Sequence, residues 1–170
     1  MKFYFIPLRK FPVGQFKSKV KEILENMRII DGYYDEENEL LGAGEKSSFE
    51  YASIHDTPND KLVPEASTSG YGATCSKCNS DMDHELYDKI NDYYDFESDS
   101  GEERDMKSIQ LICPECTTTS TLNEVVFTQP VLLTNQYFQF VDIDDEIDPK
   151  VIRGMESALD CDLKVIYERM

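Results

Sequence analysis

Four of the five cysteines in the chain fall into two pairs, and their spacing carries the clearest chemistry in the sequence. Cys75 and Cys78 form one Cys-x-x-Cys motif in GATCSKCNS, and Cys113 and Cys116 form a second in QLICPECTTT, giving the pattern C-x2-C-x34-C-x2-C. Such sulfurs can bind a metal ion, form a redox-active pair or close as disulfides. The residues around the two motifs favour the first of these.

A shared metal site is the chemistry that two Cys-x-x-Cys motifs support best. A tight turn points both sulfurs of a motif inward, and two facing turns build the tetrahedral S4 cage that zinc favours. A thioredoxin-like redox pair would need a motif that opens a helix after a strand, and neither motif clearly does so. Disulfides and unliganded thiols stay open as lesser alternatives. The sequence predicts one structural Zn²⁺, with no open position for a substrate, held by Cys75, Cys78, Cys113 and Cys116.

The pattern resembles a zinc ribbon over roughly Tyr71 to Thr128, about a third of the chain. CPEC follows the strand-like QLI, as in a zinc-knuckle hairpin, and Asn79 tolerates the left-handed conformation that often follows a knuckle. Two features depart from the family pattern: Thr117 stands where a knuckle usually has glycine, and 34 residues separate the pairs instead of roughly 15 to 20. The extra length matches an inserted helix and acidic loop.

The other candidate catalytic residues form no recognisable motif. Cys161 has no identifiable base partner and is expected to be a small buried residue. His55 and His84 each neighbour an aspartate, but a metal-dependent hydrolase needs more histidines than the two in this chain. Glu45 occupies the glycine position of a phosphate-binding loop, so its segment predicts a turn. We expect a non-catalytic protein without a small-molecule substrate; a catalytic pair among the 34 carboxylates is a less favoured alternative.

The charge of the chain is strongly negative and unevenly placed. The net charge is −17, yet residues 1–30 carry seven basic and two acidic side chains, so residues 31–170 hold −22. Such an acidic body repels phosphates and suits a basic protein partner, because complementary fields speed encounter. Acidity that serves only solubility is an equally weighted alternative.

Aromatic residues accompany three acidic tracts, at Asp35–Glu39, Asp92–Asp105 and Asp142–Asp148. Acidic side chains steer a cationic partner, and tyrosine and phenylalanine supply the anchors that carry interface energy. The tract between the cysteine pairs provides the predicted partner-binding residues, namely Tyr93, Tyr94, Asp95, Phe96, Glu97, Asp99, Glu102 and Glu103.

In overall plan the chain is similar to bacterial immunity proteins, which are small, acidic and non-catalytic and neutralise a cationic toxin such as a nuclease. That likeness implies a basic protein partner and transfers no individual residue. The alternative is a nucleic-acid-associated regulatory zinc-ribbon protein that uses its basic N-terminal helix. Eleven acidic and three basic residues between the cysteine pairs make nucleic acid the less favoured partner.

Strand and helix patterns at both ends of the chain must position these motifs. Lys2–Leu8 reads as a strand, and apolar residues from Phe16 to Ile30 recur at helical spacing after Gly14. Near the C-terminus, Gln136–Ile143 predicts a strand, Asp148 and Pro149 begin a helix, and Asp162–Glu168 predicts a closing strand.

The central segments give weaker signals. Between Asp31 and Pro64 only Ser48–Ile54 looks strand-like. Leu86, Ile90 and Tyr93 or Tyr94 predict a helix between the cysteine pairs, followed by an acidic loop over Glu97–Asp105. Strands are expected on either side of the second pair.

These patterns predict an α+β fold in which a small sheet carries helices on one face, with strand-helix-strand units at both ends and an inserted zinc-ribbon module. Residues 1–69 and 129–170 together would form one α/β domain, and residues 70–128 the inserted module with its acidic helix and loop. Pro7 and Arg9 interrupt the N-terminal apolar run, so we expect no signal peptide, no membrane span and a cytoplasmic protein.

Overall fold

The computed structural model describes residues 1–45, 47–64, 72–128, 131–143 and 147–168. These residues form ten strands and three α-helices, with one short 3-10 helix at Met106–Ser108. The elements in chain order are β1 (Lys2–Pro7), α1 (Gln15–Asn26), β2 (Ile30–Asp35), β3 (Leu40–Ala43), β4 (Tyr51–Pro64), β5 (Ala73–Thr74), α2 (Asp83–Ser100), β6 (Gln110–Ile112), β7 (Thr119–Thr121), β8 (Val126–Phe127), β9 (Val131–Val141), α3 (Pro149–Leu159) and β10 (Leu163–Glu168).

The fold is α+β, which confirms the predicted class. Six strands form one sheet in the order β10-β1-β9-β4-β3-β2, and two further sheets pair β5 with β8 and β6 with β7. The pairings of β1 with β10 and β9, and of β3 with β2 and β4, are antiparallel. Among the described helices, none is long and apolar enough to cross a bilayer.

The chain divides into two compact units. Unit 1 comprises Met1–Thr57 and Asn135–Met170, and unit 2 comprises Pro58–Thr134. The predicted module, residues 70–128, lies inside unit 2, but its predicted ends at 69/70 and 128/129 adjoin residues 65–71 and 129–130, which lie outside the described residues. The boundaries between the units fall within β4 and β9.

Unit 1 has an aromatic core built on its sheet. Phe5 stacks on Phe138 with ring centroids 4.6 Å apart, and Phe49 stacks on Phe140 at the same distance. Both helices bury their apolar stripes in this one cluster, so both pack on the same face of the sheet, as predicted. The helical residues in the cluster are Phe16, Val20 and Leu24 of α1 and Met155 and Leu159 of α3.

The ends of α1 and α3 follow local sequence signals. Asp148 accepts a hydrogen bond at 2.8 Å from the backbone N–H of Lys150, and Pro149 occupies the first helical position, as predicted. The predicted apolar stripe of α1 extends to Ile30, beyond the end of the helix. Arg28 has a left-handed φ of 58°, which turns the chain out of the helix. Ile30 therefore lies in β2.

Residues 31–64 contain more strand than the sequence predicts. The β2–β3 hairpin was absent from the prediction, and β4 runs for 14 residues through a Thr-Pro-Asn-Asp segment that looks like a turn. The pairing of β2 with β3 has shifts in register, and β2 lies at the edge of the sheet with most of its residues exposed. An irregular, solvated edge strand lacks the alternation that identifies a strand from sequence.

Unit 2 has a separate core around α2. Leu86 and Ile90 lie on the buried face of this helix, as their spacing predicts, and Tyr93 and not Tyr94 completes that face. These residues pack in a cluster with the two buried cysteines. The helix continues to Ser100, three residues beyond the predicted start of the acidic loop, and ends at Gly101 with a left-handed φ of 68°. Glycine adopts this conformation without the steric cost that a Cβ introduces.

Candidate metal centre

The first Cys-x-x-Cys motif forms a tight turn held by its own backbone. The Cys75 N–H donates to the Ser80 carbonyl at 2.9 Å, and the Asn79 N–H donates to the Cys75 carbonyl at 2.8 Å. The Lys77 N–H lies 3.4 Å from Cys75 Sγ. Asn79 has a φ of 60°, the left-handed conformation that its residue type allows. These contacts are those expected of a metal-binding knuckle.

The second motif repeats the two backbone hydrogen bonds of this turn. The Cys113 N–H donates to the Thr118 carbonyl at 2.9 Å, and the Thr117 N–H donates to the Cys113 carbonyl at 3.0 Å. The Cys116 N–H lies 3.5 Å from Cys113 Sγ. Thr117 takes a φ of 56°, so the knuckle keeps the left-handed residue although threonine replaces the usual glycine. That departure from the zinc-ribbon pattern costs conformational strain but does not change the turn.

The two turns bring their four sulfurs together, as the sequence predicts. The Sγ atoms all lie within 4.8 Å of one another, with Cys78 and Cys113 3.5 Å apart and Cys75 and Cys116 3.7 Å apart. Four sulfurs at about 2.3 Å from one ion stand about 3.8 Å apart at the edges of a tetrahedron. A disulfide would require about 2.05 Å. The cluster can therefore hold one metal ion, and its geometry is compatible with Zn²⁺.

Two hydroxyl groups contact the sulfurs from equivalent positions. Ser80 Oγ lies 3.0 Å from both Cys78 Sγ and Cys113 Sγ, and Thr118 Oγ1 lies 3.2 Å from Cys116 Sγ. Each hydroxyl belongs to the second residue after the last cysteine of its motif. Sequence reasoning missed this pair, although the matched spacing in CSKCNS and CPECTT is a signal that could have identified it.

The protein's own hydrogen bonds favour thiolates at two ligands. The Cys116 backbone N–H and the Ser80 hydroxyl lower the pKa of the Cys113 thiol to about 6. Thr118, through its hydroxyl and its backbone, also lowers the pKa of Cys116. At Cys78 the Ser80 hydroxyl acts in the same direction, but burial and the neighbouring sulfurs outweigh it and raise the pKa. A bound divalent cation would favour the thiolate at all four cysteines, because each binds it in that form.

The elements around the knuckles hold them in place. β5 leads into the first knuckle and pairs with β8, while β6 and β7 flank the second as a hairpin. Gly72 packs so closely before β5 that an added Cβ would stand 2.2 Å from Thr128 Oγ1. The Thr128 N–H donates to the Gly72 carbonyl at 2.8 Å. Cys75 and Cys113 are buried in the apolar cluster of unit 2, so the cysteine site is part of the core of this unit.

The predicted partner-binding tract is only partly a surface. Tyr93 is 5% exposed, and its hydroxyl donates at 2.6 Å to the Arg104 carbonyl. Glu97 is half-buried and forms an ion pair with Lys61. Tyr93 and Glu97 therefore stabilise unit 2 and do not belong to the predicted contact surface. The helical period of α2 explains this correction, because it turns both side chains toward the core of unit 2.

Of the other six predicted residues in that tract, five are exposed. Phe96 is half-buried beneath the Arg104 guanidinium, which lies 3.1 Å from the ring centroid. Tyr94 is 44% exposed. The remaining exposed members are Asp95, Asp99, Glu102 and Glu103.

The other sequence candidates are not members of the cysteine cluster. Cys161 is half-buried and packs against the core of unit 1. His55 lies on β4 in unit 1, where its ring stacks on Tyr137 with centroids 4.9 Å apart. His84 is exposed on α2 and pairs with Asp88 at 3.3 Å. The acidic tract at 142–148 lies partly outside the described residues.

Comparison of the chain with protein-family models, with curated proteins and with solved structures found no match. The function must therefore be argued from the cysteine cluster and the surface around it.

Proposed function

We propose that the protein is a non-catalytic zinc protein that binds a basic protein partner through the acidic, tyrosine-bearing surface of unit 2. The observation that carries the first part is the four-sulfur cluster. With four protein ligands around one ion, a tetrahedral site has no position left for water or substrate. The ion would stabilise the fold of unit 2 and take no part in a reaction.

Zinc is the ion that best fits four cysteine ligands in two knuckles. Tetrahedral S4 sites hold zinc or iron, and elemental analysis together with visible absorption separates the two. We expect about one zinc per chain and a colourless protein, with zinc lost from a Cys113→Ser/Cys116→Ser double variant. Cys161→Ser serves as the matched control and should keep the ion. A protein purified without near-stoichiometric metal would contradict the proposal.

The acidic surface supports the second part. Exposed carboxylates at Asp95, Asp99, Glu102 and Glu103 follow Tyr94 in the sequence, and Glu102 and Glu103 line a surface depression with it. The chain as a whole carries a net charge of −17. Charge of one sign steers a partner of the opposite sign and speeds its association. A cationic toxin, neutralised in the manner of an immunity or antitoxin-type inhibitor, is the partner that this plan fits. Free thiolates imply a reducing compartment such as the cytoplasm.

Two measurements test the proposed partner: the salt dependence of the complex and the effect of neutralising surface carboxylates. Affinity purification from native lysate should recover a basic protein, and the complex should weaken steeply as salt rises, because the encounter is electrostatic. Neutralising Asp95, Glu102 and Glu103 to their amides should weaken it further, whereas amides at Glu36 and Glu37, exposed acids of unit 1, should leave it unchanged. A complex insensitive to salt and to both variants would overturn this part.

Nucleic acid is the competing partner, and the structure gives it less support. In the basic N-terminal segment, Lys17 forms an ion pair with Glu39, and Lys21 donates a hydrogen bond to the Tyr33 hydroxyl at 2.8 Å. These contacts occupy two of the cations that would face phosphates. We expect no mobility shift of duplex or single-stranded DNA or RNA at low salt; a shift abolished by Lys10→Ala/Lys19→Ala would reverse the assignment.

A further inference from the structure

A groove of about 470 Å³ lies in unit 2 beside the second knuckle, outside the predicted contact tract. The first turns of α2 form one wall and the end of β6 with its knuckle forms the other. Met82, Ile112 and Pro114 supply apolar lining, while Asp81, Asp83 and Asp88 supply carboxylates. The groove therefore combines an apolar floor with a charged rim.

The apolar part of the groove is open to solvent. Ile112 is 53% exposed, although it lies within β6, and Pro114 next to it is also exposed. Two exposed apolar side chains that line one concavity are typical of a protein-contact site.

The rim of the groove is acidic. Four carboxylates line it, from Asp81, Asp83, Glu85 and Asp88, and no lysine or arginine is among the described residues that do so. The contacts of these groups fix their positions: Asp83 accepts from the Ala73 N–H at 2.7 Å, and Glu85 accepts from the Ile112 N–H at 3.1 Å. A cationic side chain placed at this rim meets oriented negative charge without rearranging it.

We propose that this groove is the primary docking site for the basic partner, and that it receives an apolar side chain flanked by lysine or arginine. The apolar side chain packs on Ile112 and Pro114, and the flanking cations pair with Asp83 and Asp88. The inference rests on the proposed function: the groove at the start of α2 receives the partner, and the acidic end of the helix attracts it through longer-range charge. A second copy of the chain is a poor occupant, because it brings a net charge of −17 to an acidic rim.

Binding in the groove depends on the metal. Ile112 directly precedes Cys113, and Pro114 lies between Cys113 and Cys116, so two floor residues are held by the knuckle. Glu85 ties α2 to the same strand through the Ile112 N–H. Loss of the ion releases the knuckle and with it the floor of the groove.

The experiment uses the zinc-loaded full chain and a synthetic peptide of sequence Lys-Arg-Leu-Lys-Arg with blocked ends. Backbone amide chemical shifts are followed by ¹H–¹⁵N NMR during titration at low salt. Two control peptides replace leucine by serine or all four cations by glutamate. We expect shifts confined to residues 81–88 and 111–116, affinity reduced about tenfold by serine, roughly the effect of removing a buried apolar contact, and no binding of the acidic peptide.

Variants separate this inference from the proposed function. Ile112→Ser should weaken peptide binding about tenfold, and Asp88→Asn several-fold, whereas Glu37→Gln at an exposed position of unit 1 should have no effect; zinc content is measured for each variant. If the chemical shifts instead centred on residues 94–103 and only Asp95→Asn weakened binding, the groove would not be the docking site, and the acidic surface of the proposed function would still bind the partner. If the serine peptide bound with the same affinity as the leucine peptide, the apolar residues of the groove would not contribute to binding. Absence of any shift with the cationic peptide would overturn both proposals.

Discussion

Ser80 and Thr118 occupy equivalent places in the two knuckles, and each places a hydroxyl against the sulfur of its own motif's last cysteine. Such a hydrogen bond stabilises a thiolate more than a thiol and so favours metal binding. Ser80 also reaches Cys113 in the other knuckle. We therefore expect the metal affinity of the cluster to depend on residues outside the four cysteines.

The first prediction concerns acid release of the metal. The folded chain lowers the pKa of Cys113 to about 6 from an ordinary value of 9.0, so the stabilisation from this thiolate is present above the unfolded value and is lost as the pH falls through about 6. Ser80→Ala removes one cause of the lowered pKa, and we expect the midpoint of zinc release to shift to higher pH. A colorimetric zinc indicator in a pH titration measures it.

Ser76→Ala is the control for that titration, since Ser76 is an exposed position in the same knuckle. Its release curve should overlay that of the unaltered protein. If Ser80→Ala also overlaid it, the hydroxyl contacts would have no part in holding the ion.

The second prediction concerns the strained residue of the second knuckle. Thr117 is β-branched and has a φ of 56°, a conformation that costs an L-residue roughly 1–2 kcal/mol. Thr117→Gly removes that cost, partly offset by the greater freedom of glycine in the unfolded chain. We expect the zinc-loaded protein to gain up to about 1 kcal/mol in free energy of unfolding, measured by chemical denaturation.

Asn79→Gly provides the comparison at the matching position of the first knuckle. Asparagine tolerates the left-handed region better than threonine, so this change should stabilise the protein less. A Thr117→Gly variant that is less stable than Asn79→Gly would show that the threonine side chain contributes contacts worth more than its strain.

At the scale of elements, the C-terminal end of α2 is determined by a glycine and not by the spacing of its apolar residues. Its apolar spacing predicts the helix, but the acidic composition after Tyr94 looks like a loop, and the helix continues to Ser100 before Gly101 ends it.

The third prediction is that Gly101→Ala destabilises unit 2 by about 1 kcal/mol, because alanine is strained at a positive φ. The added Cβ would have no atom within 4 Å, so the substitution introduces backbone strain and no steric clash. Denaturation followed by far-UV circular dichroism measures this.

Gly101→Asn tests the cause, since asparagine adopts the left-handed conformation more readily than alanine. Its loss of stability should be smaller. Equal losses for the two variants would assign the effect to something other than the positive φ.

The sequence predicted the parts of the structure whose signals are local. Cys-x-x-Cys spacing placed all four ligands, and the Asp148–Pro149 signal placed the start of α3. The β2–β3 hairpin escaped prediction because an exposed edge strand with shifted register has no period-two pattern, and its place in the sheet depends on the pairing of β3 with β4. The role of Tyr93 was misjudged for a related reason: an aromatic residue in an acidic tract looks exposed until the phase of the helix is known.

At the scale of the whole molecule, the two units rest on different sources of stability. Unit 1 has stacked phenylalanines and two helices in one cluster, whereas the cluster of unit 2 is smaller and includes two of the metal ligands. Small domains with limited cores commonly depend on a metal for folding. Metal loss should therefore act on the two units unequally.

The fourth prediction is that a strong chelator unfolds unit 2 and leaves the core of unit 1 folded. Hydrogen exchange measured by mass spectrometry should lose protection across residues 72–128, including α2, because the knuckles that anchor both ends of this segment are released. Protection of β1, α1 and β10 should persist, since Phe5, Phe16 and Phe138 pack without contribution from the metal. A Cys75→Ser variant should reproduce the pattern without chelator, and re-addition of zinc should restore only the unaltered chain. Equal loss of protection in both units would mean that they fold as one cooperative structure, and unchanged protection everywhere would mean that the four cysteines hold unit 2 together without an ion.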